Sequence, residues 1–185
     1  MQRVGNGGIY MHISPINKSK WTVQAMCTVA VMSVIVFLMT FVPKIPIPLG
    51  YAHLGDAAIF VIVLLIGRHQ GIWAACIGSA FADLLGGFPL WIGPTIIIKY
   101  LMALSFSIII DKSNNGNTLR SMRIFIALLI ASFIMVVGYT VFGAILYDSL
   151  EAGLASAPGL LIKSAVNIVA FYMAVVLLKN RFTLR

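Results

Sequence analysis

Four long apolar runs decide what this chain can become. Residues 21–42, 92–110, 124–146 and 159–178 each supply the ~20 mostly apolar residues that a helix needs to cross a hydrocarbon core. A fifth apolar stretch, 54–85, is too long for one crossing and is interrupted at 67–71 by "GRHQG". An arginine between glycines reads as a tight turn, which divides the stretch into two short helices, 55–67 and 71–86. The expectation is an all-α bundle of six transmembrane helices. Composition agrees: 61% of residues are hydrophobic and 10% charged, against about a quarter charged in a soluble domain. A chain so poor in charge could not cover its own surface in water.

Six crossings place both termini on one side, and the basic residues say which. Arg3, Lys18 and Lys20 precede the first helix, and Arg68 sits in the second connection. Lys112, Arg120 and Arg123 sit in the fourth, and Lys179, Arg181 and Arg185 in the tail. The opposite connections hold Lys44, with Asp148 and Glu151 making the last one acidic. The side rich in Lys and Arg is therefore cytoplasmic. This gives a cytoplasmic arm over 1–20, a membrane domain over 21–178 and a basic tail over 179–185, in a bacterial cytoplasmic membrane. The formal charge of +8 records topology rather than a nucleic-acid surface. No cleavable signal peptide is expected, because the first apolar run ends in "TFVPKIP" without a small-residue cleavage site. Met11 is an alternative start.

The outer connection "PKIPIPLGYAHLG" (43–55) is proline-rich yet apolar. Irregular backbone at membrane depth survives only where it is buried in protein or lines a cavity. The segment reads as a cap over an outward-facing pocket. An ordinary interfacial loop is the plainer alternative.

Asp56, Asp83, Lys99 and Lys163 lie within the spans or at their outer ends. A charge at a helix centre costs about 2.5–3.5 kcal/mol on insertion scales, so such residues face the protein interior, where they pair or bind. The topology gathers all four in the outer half. Trp91, Thr95 and Lys99 recur every four residues along one helix face, as do Lys163 and Asn167; Tyr139, Gly143 and Tyr147 do so roughly. An aromatic wall with hydroxyls, an amide and ammonium groups suits a small polar, partly planar solute. The plainer reading is that the charges only pin helices together by salt bridges. His53, three residues before Asp56, is either a proton relay or an interfacial anchor.

Other features point to packing. Gly71, Ala75, Gly78, Ser79, Ala82 and Gly86 form a small-residue stripe that lets a neighbouring helix approach closely. Cys27 and Cys76 lie in apolar runs without metal-ligand spacing, so neither a metal nor a cofactor is expected. The chain has no G-x-x-x-x-G-K-[ST], G-x-S-x-G or H-E-x-x-H, which removes the phosphate-cradling loop and the common hydrolase signatures.

"IPIPLGYAHLGDAAIF", "GRHQGIWAACIGSAFADLLGG" and "WIGPTIIIK" together resemble the substrate-binding S component of energy-coupling-factor (ECF) vitamin transporters. The likeness spans 21–178 and is greatest for the branch linked to hydroxymethylpyrimidine and pyridoxine-like compounds. It implies a non-enzymatic binding subunit whose outward pocket lies beneath the first loop and between helices four to six. It also implies partners: a transmembrane T component and two cytoplasmic ATPases, which would supply the missing nucleotide chemistry. On this resemblance His53, Trp91, Thr95, Lys99, Tyr139, Lys163 and Asn167 surround the ligand. Trp91 would stack on a ring, Lys99 would donate to a ring substituent, and Asp56 and Asp83 would orient or neutralise the lysines.

Two departures from the family pattern stand out. The Ala-x-x-x-Ala surface that meets the T component is kept only approximately, by Ala25, Val29, Ala30 and Ser33. The last helix reads Pro158-Gly159-Leu160 with Lys163 where the family commonly has glutamine, which would suit an anion such as pantothenate. Readings from other classes are an intramembrane enzyme using Asp56 or Asp83, and a stand-alone carrier, for which no inverted repeat is found.

Overall fold

The first apolar run folds as α1 (Val23–Phe41), started by the Thr22 side chain, which accepts a bond from the Ala25 N–H at 3.2 Å. In this computed structural model, residues 21–47, 50–111 and 117–182 are described. The expectations for Arg3, Lys18, Lys20, Lys112 and Arg185, and for the arm 1–20, lie outside the described residues. One stripe of α1 is buried: Ala25, Val29, Ser33, Val36 and Thr40. The Ser33 and Thr40 hydroxyls return to the carbonyls of Val29 and Val36, at 2.7 and 2.8 Å, so neither is buried unsatisfied. Pro43, which has no N–H to extend the ladder, follows the last turn.

The expected capping loop is more regular than an irregular connection. It forms an antiparallel hairpin, β1 (Ile45–Ile47) and β2 (Gly50–Ala52), with Ile45 opposite Ala52 and Ile47 opposite Gly50. Its exit is tied back by the Leu54 N–H, which donates to the Met39 carbonyl at 3.1 Å. Among the described residues the architecture is therefore all-helical apart from one small hairpin.

The five-residue turn expected at "GRHQG" shrinks to one residue. α2 (Gly55–Ile66) and α3 (Arg68–Leu85) meet at Gly67, whose φ of 87° is readily open only to glycine. The Gly67 N–H closes α2 on the Val63 carbonyl, and the Gly67 carbonyl receives the Gly71 N–H. Arg68, His69 and Gln70 are thus the first turn of α3 rather than a loop. A 3₁₀ turn over Pro89–Trp91 leads into α4 (Ile92–Asp111), followed by α5 (Asn117–Leu146).

The last helix also departs from expectation. α6 runs Leu150–Phe182 and takes Pro158 into its body, where the sequence suggests a start at 159. The acidic corner explains the early start. Asp148 turns the chain with φ 47°, and the Ser149 hydroxyl caps the new helix by accepting the Ala152 N–H at 3.2 Å. Lys163 consequently lies more than three turns into the helix, not one.

The small-residue stripe of α3 meets the buried stripe of α1. A Cβ on Gly78 would stand 2.7 Å from Val36 Cβ, so only glycine permits this approach. α3 packs on α4, α4 on α5 and α5 on α6, while α2 touches α1, α3, α4 and α6. Phe60, Phe106 and Phe171 bind α2, α4 and α6 together, with ring centroids 4.8–6.3 Å apart. Outside this core, large apolar side chains such as Phe133, Leu161 and Leu177 are exposed on α5 and α6. Among the described residues, four helices are long and apolar enough to cross a membrane: Val23–Phe41, Pro89–Ile110, Met122–Leu146 and Leu150–Leu178. An apolar exterior on such helices identifies a membrane protein.

Candidate functional site

Asp56 enters the bundle in the first turn of α2, just after the hairpin, and is 2% exposed. Its Oδ1 receives the Lys99 ammonium in a direct ion pair, and Lys163 Nζ stands 3.6 Å from its Oδ2. One carboxylate therefore serves two lysines that are 1% and 3% exposed, brought from α4 and α6. Burial makes each of the three charges dependent on the others.

Tyr139 of α5 lies over this group, its ring centroid 5.6 Å from Lys99 Nζ and 5.2 Å from Lys163 Nζ. Trp91 faces Tyr139 at 5.8 Å and Tyr147 at 6.3 Å, making an aromatic wall beside the lysines. The Tyr139 hydroxyl donates to Thr95 Oγ1 at 3.3 Å, and Thr95 adjoins the Asp83 carboxylate. Thr95 precedes Lys99 by one turn, so one face of α4 serves both carboxylates.

Asn167, one turn after Lys163, is occupied by backbone. Its Oδ1 accepts the Ala57 N–H at 2.8 Å, and its Nδ2 donates to the carbonyls of His53 and Lys163 at 2.8 and 2.9 Å. The start of α2 has no local side-chain cap, and Asn167 replaces one across 110 residues of sequence. The same side chain holds the exit of the hairpin onto α6. His53 is buried, and its Nδ1 accepts the Gly55 N–H at 3.1 Å. Burial, together with the nearby Lys163 ammonium, pushes its imidazole well below the usual histidine range, so it stays neutral. Nδ1 is thus engaged within the cap itself.

His53, Asp56, Asp83, Trp91, Thr95, Lys99, Tyr139, Lys163 and Asn167 thus lie together at the hairpin end of the bundle. Their parts differ from expectation in two respects. Asp56 pairs with both lysines, whereas Asp83 makes no ion pair with either. Tyr147 joins the wall although it is not among the expected ligand contacts; its spacing from Tyr139 was the available signal. Of the four residues expected to meet a partner, Ala25, Val29 and Ser33 are buried in the face of α1 that packs on α3, and Ala30 alone is exposed. No His, Cys, Asp or Glu cluster able to hold a metal occurs among the described residues. Cys27 and Cys76 are unpaired, the first exposed and the second buried.

Comparison with known proteins accords with this architecture. The chain superimposes on a solved S component of a bacterial ECF transporter with a TM-score of 0.70 over 86% of this chain and 97% of that one; at 20% identity, this establishes the fold. An uncharacterized protein in a gap 3′ region of Pyrococcus woesei is 32% identical over 114 residues, covering 60% of this chain and 73% of that protein. The profile of the family described as the ECF-type riboflavin transporter S component matches residues 20–180, nearly the whole chain. S components are transporter subunits that work with a T component and ATPases, and they are not enzymes. The chain belongs to this family and is the substrate-binding S component of an ECF transporter.

Proposed function

We propose that this subunit crosses the bacterial cytoplasmic membrane six times with both termini inside, and captures a small aromatic vitamin or precursor at its outer, hairpin-capped end. The substrate class is the hydroxymethylpyrimidine and pyridoxine kind. A T component and two ATPases drive its uptake, and any partner that meets α1 does so through the exposed face carrying Ala30. The observation that carries the reading is the buried Asp56–Lys99–Lys163 group set against the Trp91–Tyr139 wall. Buried charge within a membrane domain is costly and marks functional sites, and aromatic faces beside polar groups suit a planar, polar ring.

Lys99 is committed to Asp56, whereas Lys163 is held at 3.6 Å, longer than a hydrogen bond. Lys163 is therefore the cation available to an acceptor on the ring, with Trp91 stacking. His53 and Asn167 hold the cap in register. A second reading, riboflavin, rests on the description of the matching family. A third, pantothenate, rests on the extra positive charge of Lys163.

The deciding experiment is to purify the protein in detergent from cells grown in rich medium, denature it, and identify the released small molecule by mass spectrometry. A stoichiometric pyrimidine or pyridine supports the proposal. Riboflavin or pantothenate would replace it with one of the other two readings. Turnover of a substrate by the isolated chain would oppose all three.

A further inference from the structure

Two carboxylate oxygens at the site are buried without a hydrogen bond, Oδ2 of Asp56 and Oδ2 of Asp83; the first faces Lys163 Nζ at 3.6 Å, whereas Asp83 has no ion pair among the described residues. Asp83 is 9% exposed, at the end of α3. Its backbone carbonyl receives the Phe88 N–H at 2.9 Å, which folds Gly86 and Gly87 tightly around it. Thr95 adjoins the carboxylate, and its buried Oδ2 has no hydrogen-bond partner among the described residues. Buried carboxylate oxygens ordinarily have partners, and one without them calls for an explanation.

The hydrogen-bond order fixes what Oδ2 can receive. Tyr139 donates to Thr95, and a hydroxyl that accepts this bond has its own proton free to donate. Asp83 is the carboxylate that Thr95 adjoins. An ionised carboxylate carries no proton of its own, so the buried Oδ2 of Asp83 can only accept. Neither lysine pairs with it, since the ion pairs of Lys99 and Lys163 are both with Asp56. Trp91 and Tyr139 bring the aromatic wall to the same level.

We infer that Asp83 is a specificity-determining contact that accepts a hydrogen bond from an N–H or O–H donor on the substrate ring, such as an exocyclic amine or a hydroxymethyl group. This rests on the reading of the site as a pocket for a small aromatic vitamin, and it narrows that class to rings carrying a donor at one edge and an acceptor at the other. The acceptor edge meets Lys163 and the donor edge meets Asp83. A ring without the donor would strip the carboxylate of water and return nothing, and sites of this design reject such analogues strongly.

The test is calorimetric binding to the purified full chain in detergent, using matched probes. 4-Amino-5-hydroxymethyl-2-methylpyrimidine is compared with its analogue lacking both the amine and the hydroxyl, and pyridoxine with its fully deoxygenated trimethylpyridine counterpart. Wild type is expected to bind a parent compound at least tenfold more tightly than its donorless analogue. Asp83→Leu should remove that preference by weakening the parent alone. Equal binding of parent and analogue to wild type would overturn the inference without any variant, so a poorly folding Asp83→Leu does not protect it. Equal loss of both ligands in a folded Asp83→Leu would also overturn it, assigning Asp83 a structural part. If wild type binds riboflavin or pantothenate and none of these rings, the substrate class fails and the inference fails with it. Binding of a parent without discrimination refutes Asp83 alone.

Discussion

Replacing Asp56 with asparagine keeps the shape of the side chain and removes the one countercharge shared by two buried lysines. Lys163 and Asp56 stand 3.6 Å apart, a separation at which opposite unit charges attract by about 4–5 kcal/mol at an effective dielectric of about 20. Lys99 is closer still. Desolvation offsets much of that attraction while the group is intact, so the net worth of the cluster is small. Breaking it is another matter, since the lysines stay buried without compensation, and removal of one partner from such a group costs about 3–5 kcal/mol. Asp56→Asn is therefore expected to lose about that much stability, measured by circular dichroism during unfolding in mixed micelles of mild and denaturing detergent. Asp56→Asn combined with Lys163→Met should recover part of the loss, because one orphaned charge and its repulsion from Lys99 are gone. An Asp56→Asn protein within about 1 kcal/mol of wild type would refute the reasoning, since it would mean that the lysines do not depend on Asp56.

Three further outcomes follow from the geometry. Asn167→Ala leaves the Ala57 N–H and the His53 carbonyl without their partner, at about 1–3 kcal/mol for each buried group; hydrogen exchange should accelerate at the start of α2 and in the hairpin before it does elsewhere. Gly78→Val forces a side chain against Val36 and the Ser33 carbonyl, and about 1–3 kcal/mol of overpacking should appear as a lower melting temperature in detergent. His53 is held neutral in the folded protein, whereas the unfolded chain takes up a proton below about pH 6.5. Stability is thus complete above that pH and falls as pH drops beneath it; melting curves at pH 7.5 and 5 should differ, and His53→Asn should flatten the difference.

Much of the architecture was legible because lipid imposes a simple code. Apolar run length marks the helices, and the intramembrane charges mark the site, since each needs a reason to be there. The small-residue stripe of α3 likewise announced a close neighbour, and Gly78 meets α1. Legibility ended where local preference and distant contacts decide together. Gly67 alone makes the corner expected to take five residues, because a single positive φ suffices. Ser149 caps α6 early enough to draw Pro158 inside it, against the usual meaning of proline. Nor could spacing show that Asn167 serves the backbone of α2, or that Asp56 rather than Asp83 neutralises both lysines. Those assignments depend on contacts 43 to 114 residues apart in sequence.

The central claim is that the substrate ring sits against Trp91 at the hairpin end, and the chain offers a direct reporter of it. The protein has 3 tryptophans; Trp21 and Trp73 adjoin each other, with ring centroids 6.2 Å apart, and take no part in the site. Replacing both with phenylalanine leaves Trp91 as the single tryptophan, whose emission can be followed while the purified subunit, without partners or ATP, is titrated with the molecule that co-purifies with it. The account predicts saturable quenching of Trp91 at one molecule per chain. Stoichiometric binding by calorimetry with unchanged Trp91 emission would contradict it and move the site away from this wall.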